Sequence, residues 1–402
     1  MSLTENSVVK KAQRFPWTGL LVLAGAVFLS VTSEMLPTGL LPDMSESLGA
    51  SQSQIGLLVT VFAFTVVVTS TPVSALTRRW PRRNLMVAIV LVLALSNLLT
   101  AISPNYAVVV GTRILGGIAH GVFWAVVGAY AGHLVPREQI GRAVSITLGG
   151  GTLAFVFGVP LGTALGHIFG WRLTFASVGL LMIVAGMLVW RFLPGVTHND
   201  GPSTDAATGE RPRRDPTVFA VILVCVVTAI IMTGHYTFYT FIAPFMIQSM
   251  HVDRGDVGVV LFAYGIAGAI GLALAGSVLG RRPQLGLIIV IVVSALAIAA
   301  VAVFAAQPLL GMASLMLWGL AFGALPPLLQ TRLLHTSSAA FRDVASAIYT
   351  TGFNVGIGGG ALLGAVLYDV SGVRDLPWVY LGILVVALAL VLMIGARKRR
   401  PA

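Results

Sequence analysis

The chain has 402 residues, 57% of them hydrophobic and only 10% charged, with a mean hydropathy of +0.93 and a formal net charge of +11. A soluble domain averages about 25% charged residues, so this composition excludes a water-facing globular protein and places the chain in a membrane. The lone cysteine, Cys225, excludes an internal disulfide and a cysteine metal cluster, and reads as a small buried hydrophobe.

Lys10, Lys11 and Arg14 precede the first apolar run. That run is longer than the core of a signal peptide and lacks a small-x-small cleavage site, so it reads as a span and not a leader. A helix needs about 20 mostly apolar residues to cross the hydrocarbon. Such runs fall at 16–41, 55–76, 85–102, 106–134, 143–168 and 171–193, then at 216–246, 257–279, 285–305, 308–334, 345–367 and 376–394. Between the sixth and seventh lies "GVTHNDGPSTDAATGERPRRDP", rich in Gly, Pro, Ser, Thr and charge, which reads as a flexible linker. The expected architecture is an all-α membrane protein with twelve transmembrane helices in two pseudo-symmetric six-helix bundles. Residues 1–194 form the first bundle, 195–215 a cytoplasmic linker and 216–402 the second bundle. An internal repeat supports the duplication. Leu161, Gly162, Leu165, Gly170 and Arg172 match Leu363, Gly364, Leu367, Gly372 and Arg374 at one constant offset. Duplicated halves of this kind hold a solute site at their interface near the bilayer midplane, and rocking alternates its access.

The 25 Lys and Arg decide orientation. With both termini in the cytoplasm, all but Arg172, Arg254, Arg374 and the embedded Arg113 fall in cytoplasmic tails and loops. That asymmetry is the positive-inside rule. It accounts for the basic excess without nucleic acid as a partner.

Polar residues inside the spans are few. Of the 14 acids, only Glu34 falls well inside a span, and Arg113 is the only embedded base. Each lies about seven residues from the outer end of its span, on the order of 10 Å below the surface. An ionisable group at such depth is costly and points to function. One reading is a structural ion pair that holds the first and fourth spans in register. A second is proton coupling: loss of water favours a neutral carboxyl and a nearby cation favours the charged form, so a rearrangement that alters either moves a proton; a third is direct contact with the substrate. Arg113, Gly117, His120 and Trp124 follow at i, i+4, i+7 and i+11 and form one stripe, which should face the interior. His120 is a structural histidine or a substrate or proton contact; Trp124 is packing or an aromatic contact. In the seventh span "TGHYTFYTFIAPF" sets His235 and Tyr239 on one face, as a solute site or an interfacial aromatic belt. In the eleventh span, Asn354 sits beside Gly356, Gly360 and Gly364; the glycines, with Gly158, Gly162 and Gly166 of the fifth, read as packing surfaces.

A phosphate-binding Walker loop and metal-ligand spacing are missing from the sequence, and no catalytic set stands out. The expectation is a transporter and not an enzyme, with no metal and no cofactor. Its partners are a small-molecule solute, protons and the lipid bilayer, and one chain carrying both halves is expected to work as a monomer. An importer or uniporter on the same fold, or a non-transporting membrane sensor, stays open on this reading.

Five segments together resemble the major facilitator superfamily over nearly the whole chain. They are "SEMLPTGLLPDM", "RILGGIAHGVFWAV", "PLGTALGHIFGWRLTF", "GHYTFYTFIAPF" and "FNVGIGGGALLG". Within it the likeness is to the drug/proton antiporter-1 branch, closest to bacterial sugar-efflux (arabinose efflux-like) and related chloramphenicol or nucleoside exporters. The resemblance implies an alternating-access antiporter in the bacterial cytoplasmic (inner) membrane that exchanges a small neutral or amphipathic solute for protons, with the proton gradient as energy source. It implies proton coupling at Glu34 and Arg113, and a solute site including His120, Trp124, His235, Tyr239 and Asn354. The loop after the second span departs from the family pattern G-x-L-x-D-R-x-G-R-R, since Ser74, Arg78 and Pro81 replace its glycine, aspartate and second glycine.

Overall fold

The structure, a computed structural model, describes residues 15–136, 139–195, 215–338 and 341–397. Apart from its two end positions, the expected linker 195–215 lies outside the described residues. Among the described residues, twelve helices are long and apolar enough to cross a membrane. In chain order the first half contains α1 (Trp17–Gly39), the short α2 (Leu41–Leu48), α3 (Gln52–Leu76), α4 (Arg82–Ala101), α5 (Tyr106–His133), α6 (Ile140–Leu153), α7 (Val159–Phe169) and α8 (Trp171–Phe192). The second half contains α9 (Val218–Tyr239), the short α10 (Ile242–Gln248), α11 (Val257–Ser277), α12 (Pro283–Phe304), α13 (Pro308–Thr336), α14 (Arg342–Ser371) and α15 (Leu376–Arg397).

Local chemistry sets the boundaries. Ser51 and Gln54 form a reciprocal capping box at the start of α3, and Asn105 caps α5 through the Val108 N–H. The expected runs 16–41 and 216–246 each break near their far end. Pro42 and Pro244 cannot donate to the carbonyls of Thr38 and Thr240, so the chain turns and resumes as α2 and α10. The expected fifth span is likewise not uniform. A π-helical turn at Ala154–Gly158 joins α6 to α7 just ahead of Pro160 and absorbs its missing N–H. Gly170 and Gly372, at φ +89° and +84°, make the sharp links that lead into α8 and α15, a conformation that favours glycine.

The glycine faces pack as expected. A Cβ on Gly158 would strike Thr32, one on Gly162 would strike Leu36 and one on Gly166 would strike Leu40, all on α1 or at its end. In the second half Gly356, Gly360 and Gly364 approach Met232, Thr233 and Thr237 of α9 in the same way. Each half thus brings its fifth helix against its first through the same device, close backbone approach at every fourth residue.

The halves meet along two seams, α3 with α14 and α7 with α11. In the first, Thr60 donates to the Gly358 carbonyl at 3.1 Å, and Gly358 lies against Ala63 and Phe64. In the second, Gly258 lies against Ala164 and the Pro160 carbonyl, and Gly265 against Phe155 and Val156. At the end remote from the termini, Arg254 pairs with Glu46 at 3.2 Å. There too Tyr368 donates to Gln52 Oε1 at 2.5 Å and accepts from Gln248 Nε2 at 3.0 Å. All these contacts lie in the part of the molecule away from the termini. Towards the termini α6 packs on α1 and α5 of its own half, and Thr71, Pro72, Thr350 and Thr351 are exposed. The halves are therefore closed at one end and parted at the other.

Because Gly158 has no room beside Thr32, Gly158→Leu should part α1 from α7 and lower the apparent unfolding temperature by roughly 5 °C. Gly25→Leu, where a Cβ meets nothing within 4 Å, should cost far less. Thermal unfolding of the purified proteins in detergent checks the contrast, and equal losses would refute the packing argument.

Candidate functional site

Helix α1 contains Pro37, which has no N–H for the carbonyl of Ser33. In a membrane that carbonyl must find another donor. Arg113, on α5, supplies it: Nη1 donates to the Ser33 carbonyl at 2.9 Å and Nη2 to the Glu34 carbonyl at 2.8 Å. The guanidinium stacks over Phe62 of α3, 4.3 Å from the ring centroid, and the residue is only 1% exposed. The expected charge pair therefore takes another form. Arg113 grips the main chain of Glu34, and the partner of the carboxylate is His120.

Glu34 Oε2 lies 3.3 Å from His120 Nε2, while Oε1 has no hydrogen-bond partner. Trp124 Nε1 donates to that same Nε2 at 2.6 Å, and His120 Nδ1 stands 2.8 Å from Ser30 Oγ. An indole nitrogen can only donate, so Nε2 accepts, and Nδ1 carries the ring proton and gives it to Ser30. Below this, Ser33 donates to Asn97 Oδ1 at 2.9 Å, and the Asn97 amide donates to the Leu93 carbonyl at 2.8 Å. The expected stripe on α5 is thus real and turned inward, except that Gly117 serves only close packing on Phe62 and Thr65.

The second half carries an aromatic counterpart. The offset that relates 161–172 to 363–374 also carries Thr38, Pro42 and Met44 onto Thr240, Pro244 and Met246. It takes Glu34 to Tyr236, Phe62 to Tyr264 and His120 to Phe322. These positions also cluster. His235 stacks on Phe322 with ring centroids 3.3 Å apart and planes 5° off parallel, and on Tyr239 at 5.1 Å and 19°. Trp318 lies 5.2 Å from it and Tyr264 stands behind, 5.0 Å from Trp318. His235, Tyr236 and Tyr239 are all buried, which removes the interfacial belt as an account of this segment. Tyr239 reaches the first half, where its ring meets Phe155 edge-on with centroids 6.3 Å apart.

The structure therefore brings Glu34, Arg113, His120 and Trp124 into one cluster, and His235 and Tyr239 into a second beside it. Asn354 is buried, with its amide donating to the Thr350 carbonyl of its own helix at 3.0 Å. Sequence reasoning missed Ser30, Asn97, Phe62, Trp318 and Phe322. Aromatic residues in an apolar run offer no hydropathy contrast; the repeat offset was the signal that could have found Phe322 and Tyr264.

A family model described as "Major Facilitator Superfamily" matches residues 23–241 and again 224–402. A chloramphenicol efflux pump of Mycobacterium tuberculosis is 33% identical over 89% of this chain and 88% of its own. A protein of Mannheimia succiniciproducens named "Probable sugar efflux transporter" is 30% identical over 92% of both. Among solved structures, a D-xylose–proton symporter superposes with a TM-score of 0.79 at 16% identity, covering 94% of this chain and 97% of the other.

Arg113 acts through two parallel hydrogen bonds that a single ammonium cannot reproduce. Arg113→Lys should keep the charge yet leave one carbonyl of α1 without its donor, lowering stability by about 1–3 kcal/mol. A denaturation series on the purified variant checks it, and wild-type stability would show that the bidentate grip is dispensable.

Proposed function

The chain belongs to the Major Facilitator Superfamily of transporters, and we propose that it exports a small neutral or amphipathic solute in exchange for protons. Among the described residues Glu34 is the one buried acid. Its carboxyl group faces an imidazole that already accepts from Trp124, and one of its oxygens bonds nothing. That observation carries the proposal. With the Nε2 lone pair engaged by the indole, that nitrogen offers no N–H to an ionised carboxylate at 3.3 Å. The arrangement suits a carboxyl group that holds its proton, and any movement that frees His120 from Trp124 changes what that group can bond. The transported proton thus has a place to sit and a reason to leave.

Arginine and lysine asymmetry supports cytoplasmic termini, and with them a parted end open to the cytoplasm, and the bacterial relatives support an inner membrane. Solute then enters between the halves from inside. Rocking about the two seams breaks the Glu46–Arg254 and Gln52–Tyr368 contacts and opens the far end. Arg113 holds the main chain of α1 to α5 throughout, so Glu34 and His120 travel together. The relatives named as efflux pump and sugar efflux transporter support export and a modest uncharged solute such as a sugar, a chloramphenicol-like compound or a nucleoside.

Glu34→Gln keeps the shape and removes the titratable proton. In inverted vesicles with imposed ΔpH, using radiolabelled chloramphenicol and arabinose as probes, it should abolish gradient-driven uptake by tenfold or more while solute exchange without a gradient persists. Unaltered gradient-driven flux in the variant would remove Glu34 from the coupling.

A further inference from the structure

His235 is the residue that the exchange mechanism leaves unexplained. Its ring is fully buried, and neither Nδ1 nor Nε2 has a hydrogen-bond partner. A buried ring with two unmet polar atoms loses its water and regains nothing. An imidazole sandwiched so closely between Phe322 and Tyr239, walled by Trp318 and Tyr264, lies where a flat apolar ring would be better placed. One wall of the cage is less covered than the rest. Tyr239, Trp318 and Tyr264 are buried, but Phe322 is only half-buried. Pro326 and Pro327 remove the N–H groups due to the carbonyls of Phe322 and Gly323, so α13 is softened at the wall that must move.

We propose that the space between Phe322 and Tyr239 is a binding slot for a planar aromatic group of the solute, and that His235 plugs it from within until that group displaces it. This deepens the export reading and rests on it: the aromatic end of the solute stacks in the second half while a polar end faces Glu34, His120 and Trp124 in the first. Displacement lets the imidazole reach hydrogen-bonding partners it lacks in the plugged state, so binding is driven by stacking and by relief of an unmet polar group together.

The test uses 4-nitrobenzyl alcohol, a planar ring that quenches tryptophan fluorescence, on the purified full-length protein, with cyclohexylmethanol as a non-planar competitor. Wild type should show saturable quenching that cyclohexylmethanol does not relieve. His235→Ala, with the plug removed, should bind about tenfold tighter. His235→Phe, a plug with no unmet polar atoms, should lose saturable binding while unfolding at or above the wild-type temperature. Unchanged or weaker affinity in folded His235→Ala, wild-type binding in His235→Phe, or saturable binding in neither wild type nor variant overturns the slot. If His235→Ala does not fold, wild type and His235→Phe decide alone. The measurement needs no gradient, so its failure leaves proton exchange standing, and loss of ΔpH-driven flux with saturable quenching intact leaves the slot standing.

Discussion

The constraint on which the rest depends is that a backbone carbonyl inside a bilayer must be bonded from within the protein. Pro37 opens one such debt at Ser33, and Arg113 reaches across from α5 to close it. That single exchange ties α1 to α5 and fixes the depth of Arg113 and the place of Glu34. It also explains why a guanidinium is needed. Two carbonyls in a row require a planar fork, and the ring of Phe62 supplies a face for the remaining charge.

Around that anchor the polar groups form a chain with more claims than bonds. His120 Nε2 is sought by Trp124 and by Glu34, and one carboxyl oxygen goes without. A network satisfied in full would lock the helices; one left short by a single bond has somewhere to go. The second half answers with aromatic rings at the equivalent positions. Duplication has thus given one scaffold two chemistries, a polar cluster around Glu34 in the first half and an aromatic cluster around His235 in the second.

The seams themselves are built from smallness. Glycines at every fourth position let α7 lie on α1 and α14 on α9, and others let α7 meet α11 and α3 meet α14. Such surfaces meet mainly through packing, with one bond from Thr60 to the Gly358 carbonyl, so helices can slide or tilt on them at low cost. Polar contacts between the halves that must break gather at the far end, at Glu46–Arg254 and Gln52–Tyr368.

By itself the sequence determined the twelve spans, the duplication and the sidedness of charge, because each depends on composition over many residues and averages out local error. It also singled out Glu34, Arg113 and His120, since a polar residue in an apolar run stands out without any coordinates. Only the tertiary structure decided who pairs with whom. The Arg113 contact with the main chain was not legible, because a hydrogen bond to a carbonyl depends on a missing N–H one turn away on another helix. Nor was the cage around His235, since Trp318 and Phe322 lie more than seventy positions further along and look like any apolar residue until the helices are laid side by side. Periodicity fixes which face of a helix turns inward; distance between faces is set by packing, and chemistry at a site depends on distance.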